Sequence, residues 1–293
     1  MDFYSLPPRN FLGLENQRLE NSRVVVVPVP YDGTTTYRGG ARYGPRAIID
    51  ASMNIELYDI ELDCEPSKIG IFTLNEVEPD KSSVEKTLAR VEYVVSEILE
   101  KDKFPVLLGG EHSLTIGVVR AILKKFPNLS VLQLDAHADM RDEYEGTKYN
   151  HACVMRRLRE MCNIVQQVGI RSMSAEENAH IREKLMMGSL YFSDRFSEAA
   201  IDEITTRLGE DVYITIDLDV FDPSEMPSVG TPEPGGMKWS EVLSLLKKVG
   251  QRKNIVGFDV VELSPISGNI APDFMAAKLV YKMIGYSFYH VLK

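Results

Sequence analysis

The chain has 293 residues, 44% hydrophobic and 26% charged, which supplies apolar material for a large core in one or two domains. The formal net charge is −10, from 33 Lys+Arg against 43 Asp+Glu; this argues against nucleic acid or an anionic membrane as partner and favours cations, either metal ions or cationic substrates. No apolar run approaches the roughly 20 residues of a membrane span, and three cysteines (Cys64, Cys153, Cys162) without CxxC spacing form neither a disulfide framework nor a thiolate zinc site.

Residues 1–22 read as an irregular leader without the basic and apolar regions of a signal peptide, so a reducing cytoplasm is the expected compartment. Residues 23–29 (RVVVVPV) are a continuous apolar run, as in a strand covered on both faces. A Gly-rich loop follows, without the glycine spacing of a phosphate cradle, and Pro45 opens a helix through Ile48 and Ile49. Residues 68–73 form a short strand. Ser83 caps a helix running to about residue 100, with Val84, Leu88, Val91, Val95, Ile98 and Leu99 as its apolar stripe. Strands are then expected at 105–108, 130–134, 164–169, 189–192, 212–216 and 255–260. Helices are expected at 114–126, 151–161, from Ser174, at 201–208, at 239–249 and from Pro272. Strand and helix alternate about eight times with no linker. That predicts one α/β domain over 1–293, a three-layer α/β/α fold with a mostly parallel eight-stranded sheet. A TIM barrel is the alternative.

In either fold, ligands bind at the carboxyl ends of the strands, and four strands end in groups that do not belong in a core. The strand at 105–108 leads to Glu111 and His112. The strand at 130–134 leads to Asp135, His137 and Asp139, which fall on one face if the chain stays extended. The strand at 212–216 leads to Asp217 and Asp219, and the strand at 255–260 leads to Glu262. Buried carboxylates are costly unless something positive meets them. Asp135, Asp139, Asp217 and Asp219 carry four negative charges, which two divalent ions neutralise and one does not. His112 and His137 complete six candidate ligands. Four oxygen donors, two imidazoles and no thiolate suit manganese, with iron or cobalt as substitutes. Two such ions can share a water, lower its pKa and direct it at an electrophilic carbon. Each motif also has a plainer reading: Asp-x-His-x-Asp as a turn, Asp-Leu-Asp as a loop start or cap, Glu111 as an acid on a helix dipole. Their coincidence at strand ends favours the metal. His151 opens a helix and reads as either a buried helix start or a proton shuttle; His180 and His290 read as structural.

Gly109-Gly-Glu-His-Ser113, Asp135-Ala-His-Ala-Asp139 and Thr215-Ile-Asp-Leu-Asp-Val-Phe-Asp-Pro223 resemble the three metal motifs of the ureohydrolases, the arginase and agmatinase family. Pro30-Tyr-Asp32, residues 40–45 and residues 230–236 resemble other signatures of that family. Residues 139–157 are similar to the agmatinases in particular, with Ala152 where many relatives have glycine. The resemblance implies a dimanganese centre and hydrolysis of a guanidinium group, with agmatine giving putrescine and urea. It implies that His112, Asp135, Asp139 and Asp217 hold one ion and Asp135, His137, Asp217 and Asp219 the other. It further implies that Glu262 binds the guanidinium, that His151 shuttles protons with Asp139 as relay, and that the protein forms trimers or hexamers. The acidic segment after Asp139, with Asp142 and Glu143, suits the distal ammonium of the substrate, or is simply a solvated loop. N1-aminopropylagmatine, 4-guanidinobutyrate and arginine are the alternative substrates. A non-catalytic guanidino-binding relative and a single-zinc hydrolase of the deacetylase type are the other readings.

Overall fold

The computed structural model describes residues 6–292. Eight strands form one sheet in the order β2-β1-β3-β8-β7-β4-β5-β6, and every pair in it is parallel. In chain order the strands are β1 (Val24–Val29), β2 (Ile71–Thr73), β3 (Phe104–Gly109), β4 (Ser130–Leu134), β5 (Ile164–Ile170), β6 (Leu190–Phe192), β7 (Asp211–Asp217) and β8 (Asn254–Val261). An open order of this kind rules out the barrel, and the expected "mostly parallel" sheet is wholly parallel. The helices are α1 (Gly44–Ser52), α2 (Val84–Glu100), α3 (Thr115–Lys125), α4 (Val154–Met161), α5 (Ala175–Glu183), α6 (Glu198–Arg207), α7 (Trp239–Arg252), α8 (Ala271–Ser287) and a short terminal α9 (Tyr289–Leu292).

The alternation of side chains along a strand assigns them to two separate cores. Val24 and Val26 of β1 belong to the core that also holds α1, α7 and α8, whereas Val25, Val27 and Val29 belong to the core that holds α2 and α3. All five are completely buried. Each contributes on the order of 1.5–3 kcal/mol by leaving water, which is why this run tolerates no polar residue. The helix stripe at Val84, Leu88, Val91, Val95, Ile98 and Leu99 is buried as expected, and the Ser83 hydroxyl accepts from the Lys86 N–H as its cap.

Two of the boundaries that differ from the sequence reading have a plain local cause. The strand expected from residue 68 begins at Ile71, because Pro66–Ile69 form a 3-10 turn that ends at Gly70 with φ +82°. The helix expected from residue 151 begins at Val154; His151–Cys153 form a separate turn, capped by the Asn150 side chain accepting from the Ala152 N–H. The irregular leader lies partly outside the described residues, and from residue 6 on it holds only the short turns Phe11–Gly13 and Leu19–Asn21. Among the described residues no helix is long and apolar enough to cross a membrane.

The sheet order places the functional strand ends together. β3, β8, β7 and β4 are consecutive neighbours, and Leu108, Val260, Ile216 and Leu134 form one row across them. The residues that follow this row are therefore level with one another. They face the crevice at the carboxyl edge where ligands of open α/β sheets bind.

Candidate metal centre and its cleft

His112, Asp135, His137, Asp139, Asp217 and Asp219 converge at that edge. His112 Nδ1 lies 3.0 Å from Asp135 Oδ2, 3.2 Å from Asp139 Oδ2 and 3.5 Å from Asp217 Oδ2. His137 Nδ1 lies 2.9 Å from Asp219 Oδ2 and 3.6 Å from Asp135 Oδ1. Two groups within metal-binding reach result, His112/Asp135/Asp139 and Asp135/His137/Asp219, and they share Asp135. His112 is buried, yet its Nδ1 has no hydrogen-bond partner despite three carboxylate oxygens nearby. A ring nitrogen aimed at three converging carboxylate oxygens fits a shared cation better than a hydrogen-bond network.

The electrostatics agree. Burial, and after it the charges of Asp219 and Asp135, push the Asp217 carboxyl well above its ordinary range. Burial and the charge of Asp135 raise Asp139 to about 7. Burial opposes protonation of His137, but Asp219 and Asp135 outweigh it and raise the imidazole to about 12. Four carboxylates and two imidazoles thus demand protons or metal ions, and divalent cations answer the demand without protonating the ligands.

Neighbouring groups set the orientation of these side chains. His112 Nε2 is 2.8 Å from Thr215 Oγ1, which donates to Asp259 at 2.6 Å; Tyr213 and Thr115 also donate to Asp259. Gln133 Nε2 donates to Asp135 Oδ2 at 2.7 Å, and Gln167 in turn donates to Gln133. Arg171 donates to the carbonyls of Asp219 and Glu233, joining the two loops on that side. The sequence reading passed over Gln133, Thr215 and Asp259. Gln133 and Asp259 did leave a signal, since each is a polar residue inside an otherwise apolar strand.

Two non-glycine residues here have left-handed backbone, Asp139 (φ +52°) and Glu262 (φ +68°). Such conformations cost about 1–3 kcal/mol and persist only where the surroundings over-determine them. Glu262 is fixed by its N–H donating to the Gly110 carbonyl at 2.7 Å and by its Oε1 accepting from the His112 N–H at 2.7 Å. Burial and the charge of Glu111 push the Glu262 carboxyl well above its usual range. Glu111 is fully buried and accepts from the backbone and hydroxyl of Thr34 and from Ser113. Burial raises its carboxyl to about 7 against those donors. Gly110 makes this contact possible, because a Cβ there would fall 1.9 Å from the Tyr31 carbonyl oxygen.

A cleft of about 280 Å³ opens over the centre. His112, His137, Asp139, Asp217, Asp219, Glu262 and His151 line it, together with Arg38, Arg141, Tyr144, Met173, Glu177 and Thr231. Burial lowers the His151 imidazole to about 4, so it is neutral at physiological pH. Asp142 and Glu143, expected at the substrate's amine end, are not among the residues that line this cleft. Asp142 is half-exposed and binds Arg157 at 2.6 Å, and Glu143 is exposed. Their placement follows from a tight turn in which Tyr144 and Thr147 exchange backbone hydrogen bonds. Beyond Glu262 and the metal-capable aspartates, the acid that lines the cleft is Glu177, which also accepts from the N–H groups of Met140 and Ser174. His180 and His290 lie outside this lining.

The arginase family model matches residues 22–285. The N(1)-aminopropylagmatine ureohydrolase of Synechocystis sp. is 41% identical over 293 residues, covering 95% of this chain and 94% of that protein. The agmatinase of Pyrococcus horikoshii is 35% identical over 277 residues, covering 92% and 93%. Among solved structures, the agmatine ureohydrolase of Thermoplasma volcanium superposes with a TM-score of 0.85 at 34% identity, covering 99% of this chain and 97% of that one. With nearly its whole length matched, and with the family's three motifs gathered at one sheet edge, this chain belongs to the arginase family, the ureohydrolases.

Proposed function

We propose that the protein hydrolyses the guanidinium group of a linear guanidino amine, agmatine or its N1-aminopropyl derivative, releasing urea and the free amine. The observation that carries this reading is the convergence of six metal-capable side chains, all but Asp135 lining a narrow cleft that also presents Glu262 and Glu177. His112, Asp135, Asp139 and Asp217 are assigned to one manganese ion and Asp135, His137, Asp217 and Asp219 to the other. Bound there, the ion pair supplies a water activated near neutral pH and offsets the carboxylate charge.

The remaining work falls to the side chains. Glu262 has one oxygen engaged by the His112 N–H, so its other oxygen is available to accept from the guanidinium in a charge-assisted bond. Asp139 takes the proton from the attacking water and returns it to the departing amine, and His151, neutral and on the cleft wall, exchanges protons with solvent. Glu177 supplies negative charge toward the substrate's amine tail. The relatives named for aminopropylagmatine and for agmatine act on substrates that share this guanidinobutyl-amine end, and they support the choice.

A second reading, 4-guanidinobutyrate, is favoured by Arg38 and Arg141 in the lining; Arg141, however, is stacked 4.4 Å over the Tyr144 ring. Urea release from agmatine, N1-aminopropylagmatine, arginine and 4-guanidinobutyrate, measured side by side with Mn2+, decides between them. The proposal expects kcat/KM for one or both amines to exceed that for arginine by about 10-fold or more, a difference of about 1.4 kcal/mol. Preference for arginine or guanidinobutyrate overturns it.

A further inference from the structure

Thr34, in the loop after β1, joins the buried Glu111 to His151 of the cleft wall, two residues from other parts of the chain. Its backbone N–H donates to Glu111 Oε2 at 2.6 Å, and its hydroxyl donates to Glu111 Oε1 at 2.7 Å. The Asn150 amide donates to the Thr34 carbonyl at 3.3 Å. On its other side, Thr34 Oγ1 accepts from the His151 N–H at 3.0 Å and lies 3.4 Å from His151 Nδ1. Glu111 itself is anchored, since its N–H donates to the Tyr31 carbonyl at 2.8 Å.

A hydroxyl carries one proton. With that proton given to Glu111, Thr34 Oγ1 can only accept from the imidazole. The proton of a neutral His151 then belongs on Nδ1, and Nε2 is left with its lone pair. The 3.4 Å contact is long, so it acts by direction more than by strength; the 3.0 Å backbone bond sets where the ring begins. A side chain that carries protons must hold its reacting nitrogen within about 0.5 Å of the useful position, and nothing else in these contacts fixes which nitrogen is bare.

We infer that Thr34, held by Glu111, is a positioning residue that fixes His151 as the Nδ1-protonated tautomer and presents its unprotonated Nε2 to the cleft. This rests on the reading of His151 as a proton carrier. Glu111 thereby has a role apart from metal binding, and the loop after β1 is tied to catalysis and not only to packing.

The test compares Thr34→Val, which keeps the shape and removes the hydroxyl, with Thr34→Ser, which keeps the hydroxyl, and with His151→Ala. All are assayed with Mn2+ under identical conditions; the Thr34 N–H, the Thr34 hydroxyl and the Ser113 hydroxyl all donate to Glu111, so the Thr34 proton is committed there. Thr34→Val is expected to lower kcat by about 10- to 100-fold with KM within about 3-fold and the bound metal unchanged; Thr34→Ser should restore most of kcat. The 15N shifts of the metal-free protein, with His151 assigned by its absence in His151→Ala, should show a protonated Nδ1 and a bare Nε2 in wild type and Thr34→Ser, and a mixture in Thr34→Val. If His151→Ala keeps full kcat, the proton-carrier reading fails and the inference with it. If His151→Ala is impaired while Thr34→Val matches wild type, the reading stands and the positioning role is overturned. Loss of metal from Thr34→Val, or a bare Nδ1 in wild type, also overturns it.

Discussion

Replacing Asp139 with asparagine should stabilise the protein without metal and destabilise it with metal. Asparagine tolerates left-handed backbone about as well as aspartate, so Asp139→Asn keeps the φ of +52° and removes a charge. In the metal-free fold, burial and the charge of Asp135 raise this carboxyl from 3.8 to about 7. A folded pKa above the unfolded one means the native state holds the proton. The associated stability is complete below about pH 4 and is lost as pH rises through about 7. At about 1.4 kcal/mol per pKa unit, ionised Asp139 costs the metal-free fold on the order of a few kcal/mol at pH 8. Thermal unfolding in EDTA at pH 8 should therefore place Asp139→Asn several degrees above wild type, at about 2–4 °C per kcal/mol for a chain of this size class. The gap should shrink at pH 5. With free Mn2+ at about 1,000 times Kd, wild type gains about 4 kcal/mol, and the variant, lacking one ligand, gains less, so the order reverses. A variant that melts below wild type in EDTA at pH 8, or that gains as much from Mn2+, refutes the reasoning.

Asp135 belongs to both ligand groups and Asp219 to one; Asp135→Asn should lose both ions and Asp219→Asn only one, as counted by elemental analysis of the dialysed proteins. Glu177→Gln should raise KM for amine-tailed substrates about 10-fold, or about 1.4 kcal/mol, with kcat and metal content little changed; an unchanged KM removes Glu177 from substrate recognition. Burial opposes ionisation of Glu61, but hydrogen bonds from Lys282, Lys247 and Tyr286 lower its carboxyl to about 2. A depressed pKa gives stability that is present above about 4.5 and lost as pH falls toward about 2. Glu61→Gln should therefore lower urea midpoints at pH 7 and flatten their decline over that acid window; parallel curves for the two proteins contradict this.

Most of the sheet was legible because its strands are covered on both faces. A run such as Val24–Val29 has to be apolar throughout, and the chain marks it plainly. The residues that converge at the candidate centre were legible for the opposite reason: Asp135, His137, Asp217 and Asp219 are polar residues at or just past the ends of buried strands, and each motif spans only a few residues. Strand order was not visible. Nothing local says that β8 and β7 insert between β3 and β4, which is what makes four separate strand ends into one site. The placement of Asp142 and Glu143 was not legible either, because charge composition does not say where a loop points; Asp142 pairs with Arg157 beside the Tyr144–Thr147 turn. Glu177 was hidden inside a helix cap, where its capping-box role explains an acidic residue without any reference to a ligand. The contact of Thr34 with Glu111 joins residues 77 positions apart and has no local signature.

The most direct test of a binuclear centre is to titrate the metal-free protein with Mn2+ while following bound metal and urea release from a guanidino amine in the same samples. Two ions per chain are expected, with urea release rising as the second is bound. A limit of one ion per chain, or full activity in protein stripped of metal, contradicts the account.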